Sequence, residues 1–401
     1  MRAYLRLLAT PGVARLLAAA MLSRVTNSMV SLALMLAVLR LRGSYVEAGA
    51  VLSAHALALA AFAPVGGRLA DRLGARRVLV ATLIMLALAY MALLAALHAR
   101  AGTGVLMAAA ALLGMSTPPA APITRALWSR VVAQEQRRTI YALDSTLNSA
   151  MFVIGPLLAA ALLLRLSPYA IIAVAGTSKW CGDALLASAP ALRAMPSAPA
   201  DRPAGPWLGP LGDARVRLLL TIIALDTFVY GSQQIGAAAV GGAGGAAGLL
   251  LGLVAAGEVI GGLALGVRPL PGGLRMQLVA LHVATAALML AAAAMPWMLA
   301  VAPLFLGAGL IGGARDTLNQ LALSRYAPAA QRTEAFAWLA TFMWGGYGIG
   351  TWVAGHAQQG SGTGAVFAAA ACASALAAAG AACLRAPSDE DPDAVEVGAR
   401  S

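Results

Sequence analysis

The chain is 401 residues long, 60% hydrophobic and 11% charged, with a mean hydropathy of +0.80 and a formal net charge of +12. Soluble domains carry about 25% charged residues, so a water-soluble globule of this composition is excluded because it could not hide its apolar surface. All but one of the 28 basic residues are arginine, Lys179 being the exception, and Cys181, Cys372 and Cys383 stand singly in apolar runs without the spacing of a disulfide framework or a zinc motif.

A bilayer core takes about 20 apolar residues per helix. Applied along the chain, that requirement predicts twelve spans, at 13–39, 46–67, 78–97, 104–124, 139–164, 168–190, 216–236, 245–267, 276–295, 297–323, 334–357 and 363–384. Arg2, Arg6 and Arg15 ahead of Leu16 to Leu22 have the look of a signal peptide, but the apolar run continues past any cleavage site and reads as an uncleaved first span. Between spans 2 and 3 lies the densest charge cluster of the chain, Gly66-Gly67-Arg68-Leu69-Ala70-Asp71-Arg72-Leu73-Gly74-Ala75-Arg76-Arg77. The longest connection is Pro-rich, and the tail with Asp389, Glu390, Asp391 and Asp393 reads as a disordered acidic end. The chain therefore divides into a six-helix bundle at 1–190, a linker at 191–215, a second six-helix bundle at 216–385 and the tail at 386–401. The expected fold class is all-α and integral to the membrane, with twelve transmembrane helices in two pseudo-symmetric bundles.

Positively charged loops stay on the cytoplasmic side. With the N-terminus inside, most arginines fall in inner segments, and the outer loops hold only Arg40, Arg42, Arg100 and Arg165. Both termini are then cytoplasmic. Arginines spread over one membrane face without interleaved aromatics point to anionic lipid as a partner and away from nucleic acid. An internal repeat supports the two bundles: Ser129-Arg130 before span 5 recurs as Ser324-Arg325 before span 11, and Gly66-Gly67 recurs as Gly261-Gly262, both about 195 positions later. More loosely, Arg15-Leu16-Leu17 recurs as Arg217-Leu218-Leu219. The second copy of the charged loop is degenerate, with Gly266 where Asp71 would fall.

A charge at the centre of a membrane helix costs about 2.5–3.5 kcal/mol on insertion scales, so each intramembrane ionisable group is a functional candidate. In span 1, Arg24, Asn27, Ser28 and Ser31 share one face, and Arg24 lies about 16 Å into the helix by rise per residue. Asp226, Tyr230 and Gln233 form a similar stripe in span 7, about 15 Å in. Equal depth in equivalent helices suggests an Arg24–Asp226 pair across the bundle axis, with a structural salt bridge between the halves as the alternative. Asp144 shares a face with Asn148 in span 5, where Gly155-Pro156 allows a bend; a capping role competes with ion coupling there. Glu258, flanked by Gly257, Gly261 and Gly262, is a second proton-carrier candidate after Asp226. Arg315 and Asp316 are expected to neutralise one another or neighbours, and Lys179 and Asp183 to pair along one helix at i, i+4. His55, His98, His282 and His356 lack ligand spacing, no metal or cofactor motif occurs, and the one lysine excludes a P-loop. No Ser/His/Asp constellation supports a membrane-embedded enzyme.

The G-x-L-a-D-r-x-G-x-r-r pattern at 67–77, entering and leaving membrane-length segments, resembles the signature loop of major facilitator superfamily transporters. The twelve spans and the two-half repeat resemble that superfamily over nearly the whole chain. Ala14-Arg15-Leu16-Leu17, Leu22-Ser23-Arg24 and Tyr141-Ala142-Leu143-Asp144-Ser145 with Gly155-Pro156 resemble bacterial drug-efflux or natural-product exporters. The resemblance implies a secondary transporter of the bacterial inner membrane, exporting a small amphipathic molecule by alternating access with proton coupling; proton-coupled uptake and a non-transporting sensor or scaffold are the alternatives. It places Arg24, Asn27, Asp226, Arg315, Asp316 and Asn319 on or near the substrate pathway, with protons and lipids as partners and a monomer as the working unit. It makes Gly67, Asp71, Arg72, Gly74, Arg76 and Arg77 a cytoplasmic gate in which Asp71 faces the N-terminus of span 11. Span 4 departs from the family pattern: Thr117-Pro118-Pro119-Ala120-Ala121-Pro122 stands in place of an arginine-bearing motif.

Overall fold

In the structure, a computed structural model, the described residues are Leu7 and 10–194, 209–242, 245–267, 270–295, 297–327 and 332–384. The acidic tail and most of the linker lie outside them, as do the side chains of Ser28, Asp71, Asn148 and Pro156 within helices. The first bundle comprises α1 (Val13–Arg42), α2 (Tyr45–Leu73), α3 (Ala75–His98), α4 (Thr103–Met115), α5 (Ala120–Val131), α6 (Gln134–Leu163) and α7 (Pro168–Ala187). The second comprises α8 (Ala214–Gly241), α9 (Gly245–Val267), α10 (Leu274–Ala294), α11 (Met298–Tyr326), α12 (Arg332–Ser361) and α13 (Thr363–Cys383). No strand occurs among the described residues. With α4 and α5 counted as one interrupted span, the helices match the twelve expected segments in order. Nine of the helical segments are long and apolar enough to cross a membrane. The other three, α6, α8 and α12, have the required length, their apolar runs being interrupted by residues such as Asp144, Gln233, Gln234 and Gln358.

Local chemistry sets the breaks. Gly43 ends α1 at φ 66° and sends its N–H to the Leu39 carbonyl, a left-handed cap that costs a Cβ-bearing residue more. Ser44 then caps α2 by accepting from the Glu47 N–H, and Asp213 caps α8 by accepting from the Arg215 N–H. Gly74 turns the chain between α2 and α3 at φ 92°. Pro118-Pro119 interrupts the fourth span, because neither residue has an N–H to donate and each restricts the residue before it. The helix resumes at Ala120 and runs to Val131, so this span extends beyond the expected end at 124 and includes Arg125.

The helix contacts obey an approximate two-fold relation. In the first half α1 packs on α6 and α7, and α2 on α4; in the second, α8 packs on α12 and α13, and α9 on α11. One junction recurs in both halves. Gly114 of α4 lies against the His55 and Leu59 backbone of α2, and Gly309 of α11, 195 positions later, lies against the Val254 backbone of α9. At each a methyl group would meet backbone, so glycine is what lets the helices approach.

Three apolar cores fill the molecule. The largest draws on both halves, with Met29 to Leu39 of α1, Val229 to Ala238 of α8 and Val366 to Ala373 of α13, and lies at the end remote from the linker. At the linker end the core divides. One cluster, including Leu16, Leu79, Leu127, Trp128 and Leu192, belongs wholly to the first half; the other, including Leu219, Leu278, Leu323 and Leu384, belongs wholly to the second. Large apolar side chains on the outside, such as Leu88, Met91, Leu263, Leu299 and Leu376, are exposed and fit a lipid-facing surface.

Candidate functional site

The division of the core fixes where a solute could enter. The halves stay joined at the remote end: Ser44 Oγ and the Tyr45 N–H each lie 3.2 Å from Gln359 Oε1, and Tyr45 Oη donates to the Ala238 carbonyl at 3.5 Å. There α6 and α9 also meet, with Gly248 and Gly252 of α9 close to Ala160 and Leu157. Along one side α2 and α12 remain in contact down their length, from Gly49 against Thr351 to Thr341 Oγ1 donating to the Ala60 carbonyl. The opening between the halves is therefore at the linker end, and its inner limit is the polar layer on α1, α8 and α11.

In the first half that layer centres on Asp144 of α6. Its side chain is 2% exposed and is reached by two guanidinium groups: Arg24 Nη2 at 2.9 Å from Oδ1 and Arg125 Nε at 3.5 Å from Oδ2. Arg24 also donates to the Asp144 carbonyl at 3.2 Å. In the second half the centre is Asp226 of α8. Arg315 Nε lies 3.0 Å and His282 Nδ1 3.2 Å from Oδ1, while Asn319 Nδ2 donates to Oδ2 at 2.7 Å. Thr285 of α10 accepts from Arg315 Nη1 at 2.7 Å. Arg24 and Asp226 thus have the same depth in equivalent helices but do not pair with each other. Each finds a nearer partner within its own half, which corrects the expectation of a pair across the axis.

The remaining candidates divide. Asn319 joins the Asp226 cluster, whereas Asp316 accepts from Gln320 at 2.9 Å instead of neutralising Arg315, because i, i+1 residues on a helix point apart. Glu258 packs against Gly312 and makes no ion pair among the described residues; its flanking Gly257 and Gly261 serve close contact of α9 with the α11 backbone. Tyr230 stands with its ring 6.1 Å from that of Tyr347, which is edge-on to Trp344 at 5.8 Å, making an aromatic wall at the closed end. Asn27 lines a narrow crevice with His55, Tyr90, Thr117, Lys179 and Trp344. Lys179 pairs with Asp183 at 3.3 Å and donates to Ser23 Oγ at 3.1 Å. They pair along one helix as expected, and both are buried in the interior.

The loop candidates also separate. Arg72, Arg76 and Arg77 are exposed, and Gly74 makes the turn. Gly67 has open space where a Cβ would go, whereas a Cβ at Gly66 would meet the Pro119 ring at 3.8 Å. The side chain of Asp71 is outside the described ones. At the N-terminus of α12 the acid in place is Glu334, in the first turn, 3.6 Å from Arg68 Nη2. An anion at that position is favoured by the helix dipole. Gly155 is buried within α6. Sequence reasoning missed Arg125, His282 and Thr285 as members of the polar layer, and Arg68 and Glu334 as a bridge between halves.

The family model described as Major Facilitator Superfamily matches residues 16–309. No curated protein matches the sequence. Among solved structures, a mutant of the nucleoside transporter NupG superposes with a TM-score of 0.69 at 13% identity, covering 92% of this chain and 98% of that one. The human organic anion transporter MFSD10 (TETRAN) superposes with a TM-score of 0.61 at 16% identity, covering 92% and 99%. At these identities the likeness is one of fold.

Proposed function

The chain belongs to the major facilitator superfamily of membrane transporters, and on that premise we propose that it exports a small amphipathic organic molecule by alternating access, with inward proton movement as the driving force. One observation carries the reading: a single apolar core joins the halves at the remote end, and two separate cores leave them apart at the linker end. With the arginine-rich face inside, this is the state that receives solute from the cytoplasm. Aromatic residues at the closed end, Tyr230, Trp344 and Tyr347, suit the apolar part of such a solute. Asp226, Glu258 and Asp316 supply carboxylates along the opening for proton exchange. The resemblance of the 14–24 and 141–156 segments to bacterial exporters favours the outward direction and the bacterial inner membrane. In this reading the chain works as a monomer with both termini inside, and anionic lipid contacts the arginine-bearing face.

The test is transport in reconstituted vesicles with an imposed pH gradient, using a panel of amphipathic aromatic compounds. Export coupled to protons predicts solute movement against the proton flow, abolished by an uncoupler. Solute moving with the protons would replace antiport by symport. If no compound responds to any gradient, secondary transport is refuted.

A further inference from the structure

Two guanidinium groups share one carboxylate in the first half, and that stoichiometry has a consequence for the solute. Asp144 can neutralise either Arg24 or Arg125 but not both, which leaves one positive charge in surplus. The Arg24 side chain is 9% exposed, while that of Arg125 is 54% exposed and is the one free to turn towards a ligand. Among the described residues no second acid pairs with Arg24 or Arg125: Lys179 and Asp183 neutralise each other, and Tyr141 Oη donates to the Arg125 carbonyl at 3.1 Å, holding the backbone from which that side chain projects.

The direction of this cluster follows from the helix face it shares. Asn27 and Ser31 stand on the same side of α1 as Arg24, and Asn27 meets the other half, lining the crevice with Trp344. One turn nearer the linker end, the polar partners of Arg24 all belong to the first half. Arg24 and Arg125, joined through Asp144, therefore lie on the linker side of the level at which Asn27 meets the other half. In the second half the central charges are balanced instead, Arg315 being set against Asp226. An anion entering between the halves is drawn to the first half, where the surplus positive charge stands.

We propose that Arg125, assisted by Arg24, binds an anionic group of the transported molecule, and that the solutes are small organic anions bearing a carboxylate, sulfonate or phosphate. The planar guanidinium fork suits each of these groups in a bidentate contact. Asp144 acts as the resident counter-ion, from which Arg125 is released when the solute's own anion arrives. The apolar part of the molecule then extends towards Trp344 and Tyr347. This inference rests on the transporter reading above.

Binding is measured by thermal unfolding of the detergent-purified protein with benzoate, benzenesulfonate and phenyl phosphate, against benzyl alcohol and benzylammonium. At least one of the anions is expected to raise the unfolding temperature in a saturable way that weakens with added salt. Arg125→Ala should shift half-saturation at least tenfold, Arg125→Lys should recover part of the loss, and Arg165→Ala on an outer loop should leave it unchanged. Stabilisation by benzylammonium or benzyl alcohol with none from the anions, no stabilisation by any compound, or an Arg125→Ala protein that binds the anions as wild type does would each overturn the inference. Failure of the transporter reading has a different signature: the anions bind, yet no imposed gradient moves them across vesicles.

Discussion

The two halves solve the same problem, a charge at mid-membrane depth, with opposite signs and different helices. Arg24 in α1 takes its partner from α6, and Asp226 in α8 takes its partner from α11. The first site is basic in surplus and shares one acid between two arginines, one of them half-exposed. The second is balanced and surrounds its one acid with Arg315, His282 and Asn319, all buried in the interior. The difference shows that the repeat preserves helix packing without preserving charge. Gly114 and Gly309, 195 positions apart, each let a helix close on its neighbour's backbone, whereas the ionised groups bound to each half have diverged into two chemically distinct walls of one opening.

The strongest way to break this comparison is to remove the central acids. Asp226→Ala leaves Arg315 without its counter-ion and Asn319 without its acceptor. Breaking a buried pair from one side costs about 3–5 kcal/mol, so the purified variant should unfold at a much lower temperature. Adding Arg315→Gln should recover part of the loss. Asp144→Ala strands Arg24 in the same manner but leaves Arg125 able to turn into water, and its loss should be the smaller of the two. Equal stability of Asp226→Ala and wild type would mean that Asp226 is not the hub of the second site.

Next in size are the glycines that the halves share. Gly114→Ala and Gly309→Ala each place a methyl group against backbone of the facing helix, and overpacking of this kind costs about 1–3 kcal/mol. Similar losses at both positions, read by thermal unfolding, would support the repeated junction. A loss at one position only would confine the two-fold relation to topology.

How far the sequence could be read depended on which coordinate of a residue mattered. Span positions were legible because membrane crossing is a matter of length and polarity, and the helices fall where the apolar runs do. Depth was legible too, since helix rise places Arg24 and Asp226 at one level. Partners were not, because depth leaves open which neighbouring helix faces the side chain. Asp144, about 120 positions along the chain from Arg24, is brought beside it by packing of α1 on α6 alone. Arg125 was hidden for another reason: the apolar run fades at 124, whereas the helix that resumes after Pro118-Pro119 carries on to Val131. His282 carries no local signal at all, and only the approach of α10 to Asp226 gives it a role.

The smallest expected effect concerns the bridge between the halves at the linker end. Arg68 and Glu334 are each about one-third exposed at a separation of 3.6 Å, and exposed pairs contribute about 0–1 kcal/mol. Glu334→Gln should therefore leave the unfolding temperature nearly unchanged. Its influence lies elsewhere, because the pair joins α2 to α12, the contact about which the halves remain attached. A bias of about 1 kcal/mol alters a two-state ratio roughly fivefold, enough to change transport rate without changing stability. The expected result is a modest change in transport rate at low salt that shrinks as salt rises, since screening weakens the same pair in the wild type. If the change persists undiminished at high salt, the carboxylate acts by contact with the Gly209 segment of the linker, which lies against it, and the charge of Arg68 is incidental.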